Sequence, residues 1–219
     1  MRSTTARRAG LGGVVLMLGL GLTAPPAQAE TAAGVASLGS ANFTRTGQNT
    51  TSIETQGGCS LSGPASSSAD PVTGNGITFG GGTSTCTTTV VDAANHVTTT
   101  KSEATGKDFD LSALVGRGGK RIRLKSYTVS CAATQTQTSA SWTFGGMSGL
   151  TAPPSPTPAN YVQPITRPDG TVVANAMFNE QIIPGDGSVA LNLLHLRFLP
   201  PSGMTGDVVI GATACSPTP

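Results

Sequence analysis

Charge is scarce in this chain. Lys, Arg, Asp and Glu together make up 11% of its 219 residues, and aromatic residues only 4%. A coiled coil or long helical bundle needs far more Glu, Lys and Arg. A chain kept unfolded by charge needs a high net charge, and the formal value here is +2. The basic residues are few and scattered along the sequence, which argues against a nucleic-acid partner. The four cysteines form no Cys-x-x-Cys, and both histidines, His96 and His195, lie far from any cysteine in sequence, so no zinc site is expected. Asp108 and Asp110 do not sit in a D-x-D-x-D-G calcium loop. Gly80-Gly81-Gly82 precedes neither Lys nor a helix, so it is no phosphate loop. No cofactor is implied.

What is present begins with a targeting signal. Arg2, Arg7 and Arg8 precede an apolar run, Leu11 to Leu22, and Pro25-Pro26 leads to Ala27-Gln28-Ala29 before Glu30. This order of charge, apolar stretch and small residues is that of a secretory signal peptide, residues 1–29, cleaved after Ala29. The apolar run is about a dozen residues, against roughly 20 for a bilayer span, and no second one follows. The mature chain is thus read as secreted, with no integral membrane span. Three of the 13 basic residues and none of the 11 acids leave with the signal, which gives a mature formal charge of −1.

Cys59, Cys86, Cys131 and Cys215 all lie in the mature part, and an even number in an exported chain suggests disulfides. Of the three possible pairings, Cys59–Cys86 with Cys131–Cys215 is favoured. The first closes a Ser-, Gly- and Thr-rich loop with little core of its own. The second ties a middle strand to the last one.

Thr, Ser and Val punctuated by Gly and Pro predict short antiparallel strands. Residues 30–40 read as a flexible N-terminal segment and 41–219 as a single domain. Strands are expected at 41–46, 50–56, 85–91, 96–105, 121–133, 136–144, 171–183, 188–199 and 206–215. Residues 57–83 and the Pro-rich stretch 151–168 read as loops. Asp110 can cap a short helix that Gly116 ends. Two strands change phase: Ile122 and Leu124 against Tyr127, Val129 and Cys131, then Val189, Leu191 and Leu193 against Leu194, Leu196 and Phe198. A bend or bulge near Ser126 is required to collect the first set on one face. The fold class is all-β: an antiparallel β-sandwich with one short helix.

Particular words accumulate along this chain: Asp108–Leu114, Ser126–Cys131, Phe178-Asn179-Glu180-Gln181, Ala190–Leu196 and Gly206–Gly211 leading to Cys215. Over roughly residues 85–215 the chain resembles the secreted Gram-positive choice-of-anchor P family. The resemblance implies an extracellular or cell-envelope protein of a group without an established activity, whose members differ mainly in how they are tethered. It also supports the Cys131–Cys215 pair, and it supplies no catalytic residue. No tether is found in this chain.

Candidates for catalysis are thin. There is no G-x-S-x-G elbow. His96 reads as an exposed turn residue. His195 reads as a hydrogen-bonded, half-buried residue of an apolar strand. Glu180 is the carboxylate that stands out, flanked by Asn179 and Gln181. As a glycosidase acid it would need a second carboxyl about 5–10 Å away. Glu54, Glu103, Asp108, Asp110, Asp186 and Asp207 are the candidates. With the hairpin turn centred between Gly185 and Asp186, Glu180 pairs near Leu191 and His195 near Ala176. The two then lie roughly 13 Å apart along the strands. On that register, Glu180→Gln should leave the fold intact. The sequence therefore points away from an enzyme, towards a non-catalytic partner of a cell-envelope component or protein. The alternatives are a secreted glycan hydrolase using Glu180, and an exported protease inhibitor using the Pro-rich loop as bait.

Overall fold

The structure is a computed structural model that describes residues 34–218. The expected signal peptide, 1–29, lies outside the described residues. Fourteen strands, numbered along the chain, form two antiparallel sheets that pack face to face. The first sheet runs β11 (Tyr161–Thr166), β12 (Val172–Ile182), β13 (Val189–Phe198), β14 (Met204–Cys215), β1 (Val35–Arg45) and β2 (Thr51–Gln56). A short β3 (Cys59–Ser60) also pairs with β1. The second sheet runs β10 (Thr138–Gly145), β9 (Ile122–Ala133) and β8 (Val97–Leu111). Next to β8 lie β7 (Gly82–Asp92) and β6 (Ile77–Phe79), then β4 (Ser66–Ala69) and β5 (Val72–Gly74) at the outer edge.

This is the all-β sandwich that the composition predicts. No α-helix occurs among the described residues; single 3-10 turns stand at Val115–Arg117 and Pro200–Ser202. The expected helix start is displaced. Asp110 does not cap; it and Leu111 finish β8, and Asp110 instead accepts from Arg121 and Arg123. No described helix is long and apolar enough to cross a membrane.

Three segments expected to be irregular carry strands; in 151–168 it is β11, Tyr161–Thr166, which pairs with β12. Within 30–40, Val35–Ser40 belongs to β1 and pairs with β14 along its length, because Ala36 and Leu38 point into the core. Within 57–83, Ser66–Ala69, Val72–Gly74 and Ile77–Phe79 are strands. Ile77 and Phe79 are the fully buried residues of these strands, with Ala69 and Val72 packed partly against the core, so the Ser/Gly background hid the alternation.

Both disulfides join one sheet to the other. Cys59 on β3 meets Cys86 on β7, and Cys131 on β9 meets Cys215 on β14. Cys86 and Cys131 flank Ser102 in one row of the second sheet. The staples therefore share one end of the sandwich, and the rest of the interface rests on packing. Phe43 meets Phe198 edge-on at 5.1 Å, and Phe79 lies 5.2 Å from Phe109. Buried Tyr127 donates across the core to the Leu38 carbonyl at 2.9 Å.

The phase changes are shared between strands. In the first sheet Phe178, Leu194 and Ile210 are buried side by side, and Gly39 of β1, also buried, completes the row. On the far side of Asn179, Leu193, Gly211 and Leu38, the outward set is Glu180, Asn192, Ala212 and Ser37. The register does not slip through this row. Asn179 and Gly211 take left-handed backbone, φ 54° and 63°, which turns the next side chain over. Asn is among the non-Gly residues that best tolerate that conformation. A Cβ at Gly211 would also press on Val129 of the opposite sheet at 2.9 Å. The second sheet bends likewise where Asp108, φ 48°, faces Lys125, so Leu124 and Tyr127 both point inward. That is the bend expected near Ser126.

Candidate functional site

The row at Asn179 creates the cluster of chemistry in this molecule. Asn179 itself is buried and ties three segments together. Its Oδ1 accepts from Trp142 Nε1 at 3.0 Å and Gln181 Nε2 at 2.9 Å, and its Nδ2 donates to the Thr157 carbonyl at 3.1 Å. With the backbone turned over at Asn179, the next residue, Glu180, leaves on the outer face. β13 changes phase opposite it, so Asn192 and His195, three residues apart, share that face.

The expected 13 Å separation is therefore wrong. Glu180 pairs with Asn192 and His195 with Met177, one residue from the anticipated register. The Glu180 carboxylate meets His195 Nδ1 at 2.9 and 3.0 Å, and Asn192 Nδ2 donates to its Oε2 at 2.7 Å. Two things produced the error: the tip of the hairpin is offset by one residue, and a regular strand would have put Asn192 and His195 on opposite faces.

His195 is also flanked on its other side. Its Nε2 faces Asp207 Oδ2 at 3.4 Å, within ion-pair range but without a formed hydrogen bond, and is closed to solvent. The side chains of His195 and Glu180 are 12% and 16% exposed, which leaves the pair little screened by water. The hydrogen bond to Glu180 raises the His195 pKa against the opposing effect of burial, with further help from the charges of Glu180 and Asp207. The bond from His195 is likewise the main cause holding Glu180 below its ordinary value; burial opposes it, and Asn192 and the charge of Arg197 assist.

Chemically this is an imidazole hydrogen-bonded to one carboxylate at Nδ1, with a second carboxylate beside Nε2. In a hydrolase triad one ring nitrogen is held by a carboxylate and the other faces a nucleophile's hydroxyl. Here the other nitrogen faces a second carboxylate. Glu180 is kept ionised, which does not suit a general acid, and both of its oxygens are engaged by His195 and Asn192. A groove of about 370 Å³ lies beside Asn192, lined by small residues such as Ser37, Ala190 and Ala212, and neither Glu180 nor His195 lines it.

Of the second carboxyls proposed, only Asp207 joins the cluster. Glu54 is on edge strand β2, and Asp186 sits in the β12–β13 turn, where it accepts from the Ser188 amide at 2.8 Å. Glu103, Asp108 and Asp110 are on the other sheet; Glu103 meets Lys101 at 2.8 Å. His96 is exposed at the tip of the β7–β8 hairpin. Tyr161, in the stretch expected to be a Pro-rich loop, lies in β11 and packs against the core beside Phe178. The Pro-rich stretch is bound down: Asn160 Oδ1 accepts from the Gln181 amide, and the Asn160 amide donates to the Asn179 carbonyl, both at 2.8 Å. Asn192 was missed in the sequence, and only the phase change of β13 pointed to it.

Comparison of the chain with family models, curated proteins and solved structures finds no match.

Proposed function

We propose that this is an exported, disulfide-stapled β-sandwich that works by binding at the cell envelope or outside the cell, without turnover. The observation that carries this reading is the placement of both disulfides between the sheets, a use of cysteine suited to an oxidising compartment. The likeness to the choice-of-anchor P proteins in Phe178–Gln181, Ala190–Leu196 and Gly206–Cys215 belongs to the same reading, as does cleavage of a signal peptide after Ala29. The clasped state of Glu180 and His195 favours binding over hydrolysis.

The test has two parts. The full chain is expressed with its N-terminal segment in a Gram-positive secreting host, and protein recovered from the medium is sequenced from its N-terminus. Glu30 is the expected first residue, and an intact Met1 on secreted material overturns the export route. The recovered protein is then sedimented with insoluble wall sacculi while released reducing ends are measured. Binding without release is expected. Release that disappears in a Glu180→Gln variant shown to be folded under the assay conditions replaces this reading with the hydrolase, and neither binding nor release overturns the envelope role.

A further inference from the structure

The fold gathers basic residues that look scattered in the sequence. Arg121, Arg123 and Lys125 occupy alternate positions at the start of β9, all exposed on the outer face of the second sheet. Successive residues on one face of a strand stand about 6.7 Å apart, so these three form a short ladder of positive charge. Lys107, opposite Ser126, and exposed Lys120 extend it. The acids among them are Asp108 and Asp110.

Asp110 does not simply cancel the ladder. Arg121 Nε lies 2.9 Å from both of its oxygens, and Arg123 Nε donates to Oδ2 at 2.7 Å. Both guanidiniums are held through Nε, and their terminal Nη groups make no hydrogen bond among the described residues. One carboxylate thus orients two forks whose outer donors stay open. Arg forks of this kind match the oxygens of phosphate and carboxylate groups. The two side chains remain 51% and 52% exposed.

Beyond the bend at Asp108 and Lys125 the same face changes character. Thr143, Thr128, Thr105, Thr83 and Ser68 stand side by side in one row across five strands. The next row repeats hydroxyls except at Glu103, whose charge Lys101 meets. No described segment covers this face. Its aromatic neighbours, Phe109, Tyr127, Trp142 and Phe144, belong to the inward rows.

We propose that the outer face of the second sheet binds a linear polymer that alternates phosphodiester and hydroxyl groups, a polyol phosphate of the envelope. The ladder takes the phosphates and the hydroxyl rows take the polyol. A nucleic acid would be expected to use stacking aromatics, which this face does not present. This inference rests on the envelope-binding role proposed above and names its partner.

The test uses the protein recovered from the medium and a defined poly(glycerol phosphate) as probe. Three neutralised phosphates at a slope of about 0.7 each give a loss of about 20-fold in affinity between 50 and 200 mM salt. The variant Arg121→Gln/Arg123→Gln/Lys125→Gln should lose that binding and its salt slope. Asp110→Asn should bind several-fold more tightly, because it removes the anion from between the two forks while its amide oxygen still accepts from an Arg Nε. These opposite directions separate recognition from damage to the fold. Equal binding by the triple variant, absence of binding, or tighter binding of duplex DNA at the same salt overturns the proposal. Sacculi stripped of phosphate polymer by acid extraction distinguish the two readings. If wild type and triple variant bind stripped sacculi as well as intact ones, the polymer assignment falls and the envelope role stands. If wild type binds neither, both fall.

Discussion

Raising the pH from about 6 to 9 should weaken this fold through a single residue. His195 has a pKa raised above its unfolded value of 6.5, so its contribution is complete below 6.5 and is lost as the pH climbs through the folded value. Glu180 has a lowered pKa, so its contribution is present above its unfolded value of 4.5 and is lost as the pH falls through the folded one. The pair contributes fully between those two unfolded values. Its size follows from the contacts. Glu180 engages His195 at 2.9 Å and Asn192 at 2.7 Å. A hydrogen bond to a charged group contributes about 1.5–3 kcal/mol, and a neutral one about 0.5–1.5. Glu180→Gln keeps an acceptor but removes the charge from both bonds, which costs roughly 2–3 kcal/mol. In a domain of this size that lowers Tm by roughly 4–12 °C. Urea unfolding followed by the fluorescence of Trp142, with disulfides intact, would measure wild type, Glu180→Gln, His195→Gln and the double variant across this pH range. Wild type should lose stability as the pH rises, and Glu180→Gln should show little of that slope. Wild-type stability that rises between about pH 6 and 9, or a Glu180→Gln variant within about 0.5 kcal/mol of wild type near pH 6, would refute the reasoning.

Three further outcomes are expected. Non-reducing peptide mapping should yield Cys59–Cys86 and Cys131–Cys215 peptides. With sequence separations of 27 and 84, loop entropy puts their removal at about 3.6 and 4.6 kcal/mol in the chain-entropy account, measurable as paired Cys→Ser variants. Tyr127→Phe leaves the Leu38 carbonyl unpaired in the core and should cost about 1–3 kcal/mol in chemical denaturation. Asn179→Ala should be less stable than Asn179→Gly by about 1–2 kcal/mol, because both lose the side-chain bonds but only Gly accepts φ 54° without strain; equal stabilities would mean that the backbone there relaxes.

The sandwich was legible because its core strands alternate: Val129 and Cys131, or Val208 and Ile210, read inward on sight. The disulfides were legible because one closes a segment with little core of its own and the other ties a middle strand to the last one. What the sequence hid was of two kinds. Strands β4 to β6 carry Ser, Thr and Gly where a core strand carries branched apolar residues, so nothing in them signals a periodicity of two. The site was hidden for a different reason. That Glu180 touches His195 depends on a left-handed Asn179 and on a register set at a distant turn. Side-chain type reveals neither. The basic face was hidden likewise: Lys107 joins the Arg121, Arg123 and Lys125 ladder only when β8 pairs with β9 and sets it opposite Ser126.

The row through Asn179, Leu193, Gly211 and Leu38 also bears on how the chain finds its partners. In an ordinary sheet a slip of one residue turns every side chain to the wrong face, but a slip of two restores the alternation and is punished only weakly. Here a two-residue slip leaves one strand changing phase where its neighbour does not. On one side of the mismatch an apolar side chain faces water, and on the other a polar one enters the core. The shared bend works as a key cut across four strands, so that even parity-preserving misalignments fail to close. A protein that assembles from many long-range antiparallel pairings is slow to fold, and such a key lets it reject its nearest wrong answers before the disulfides lock them in.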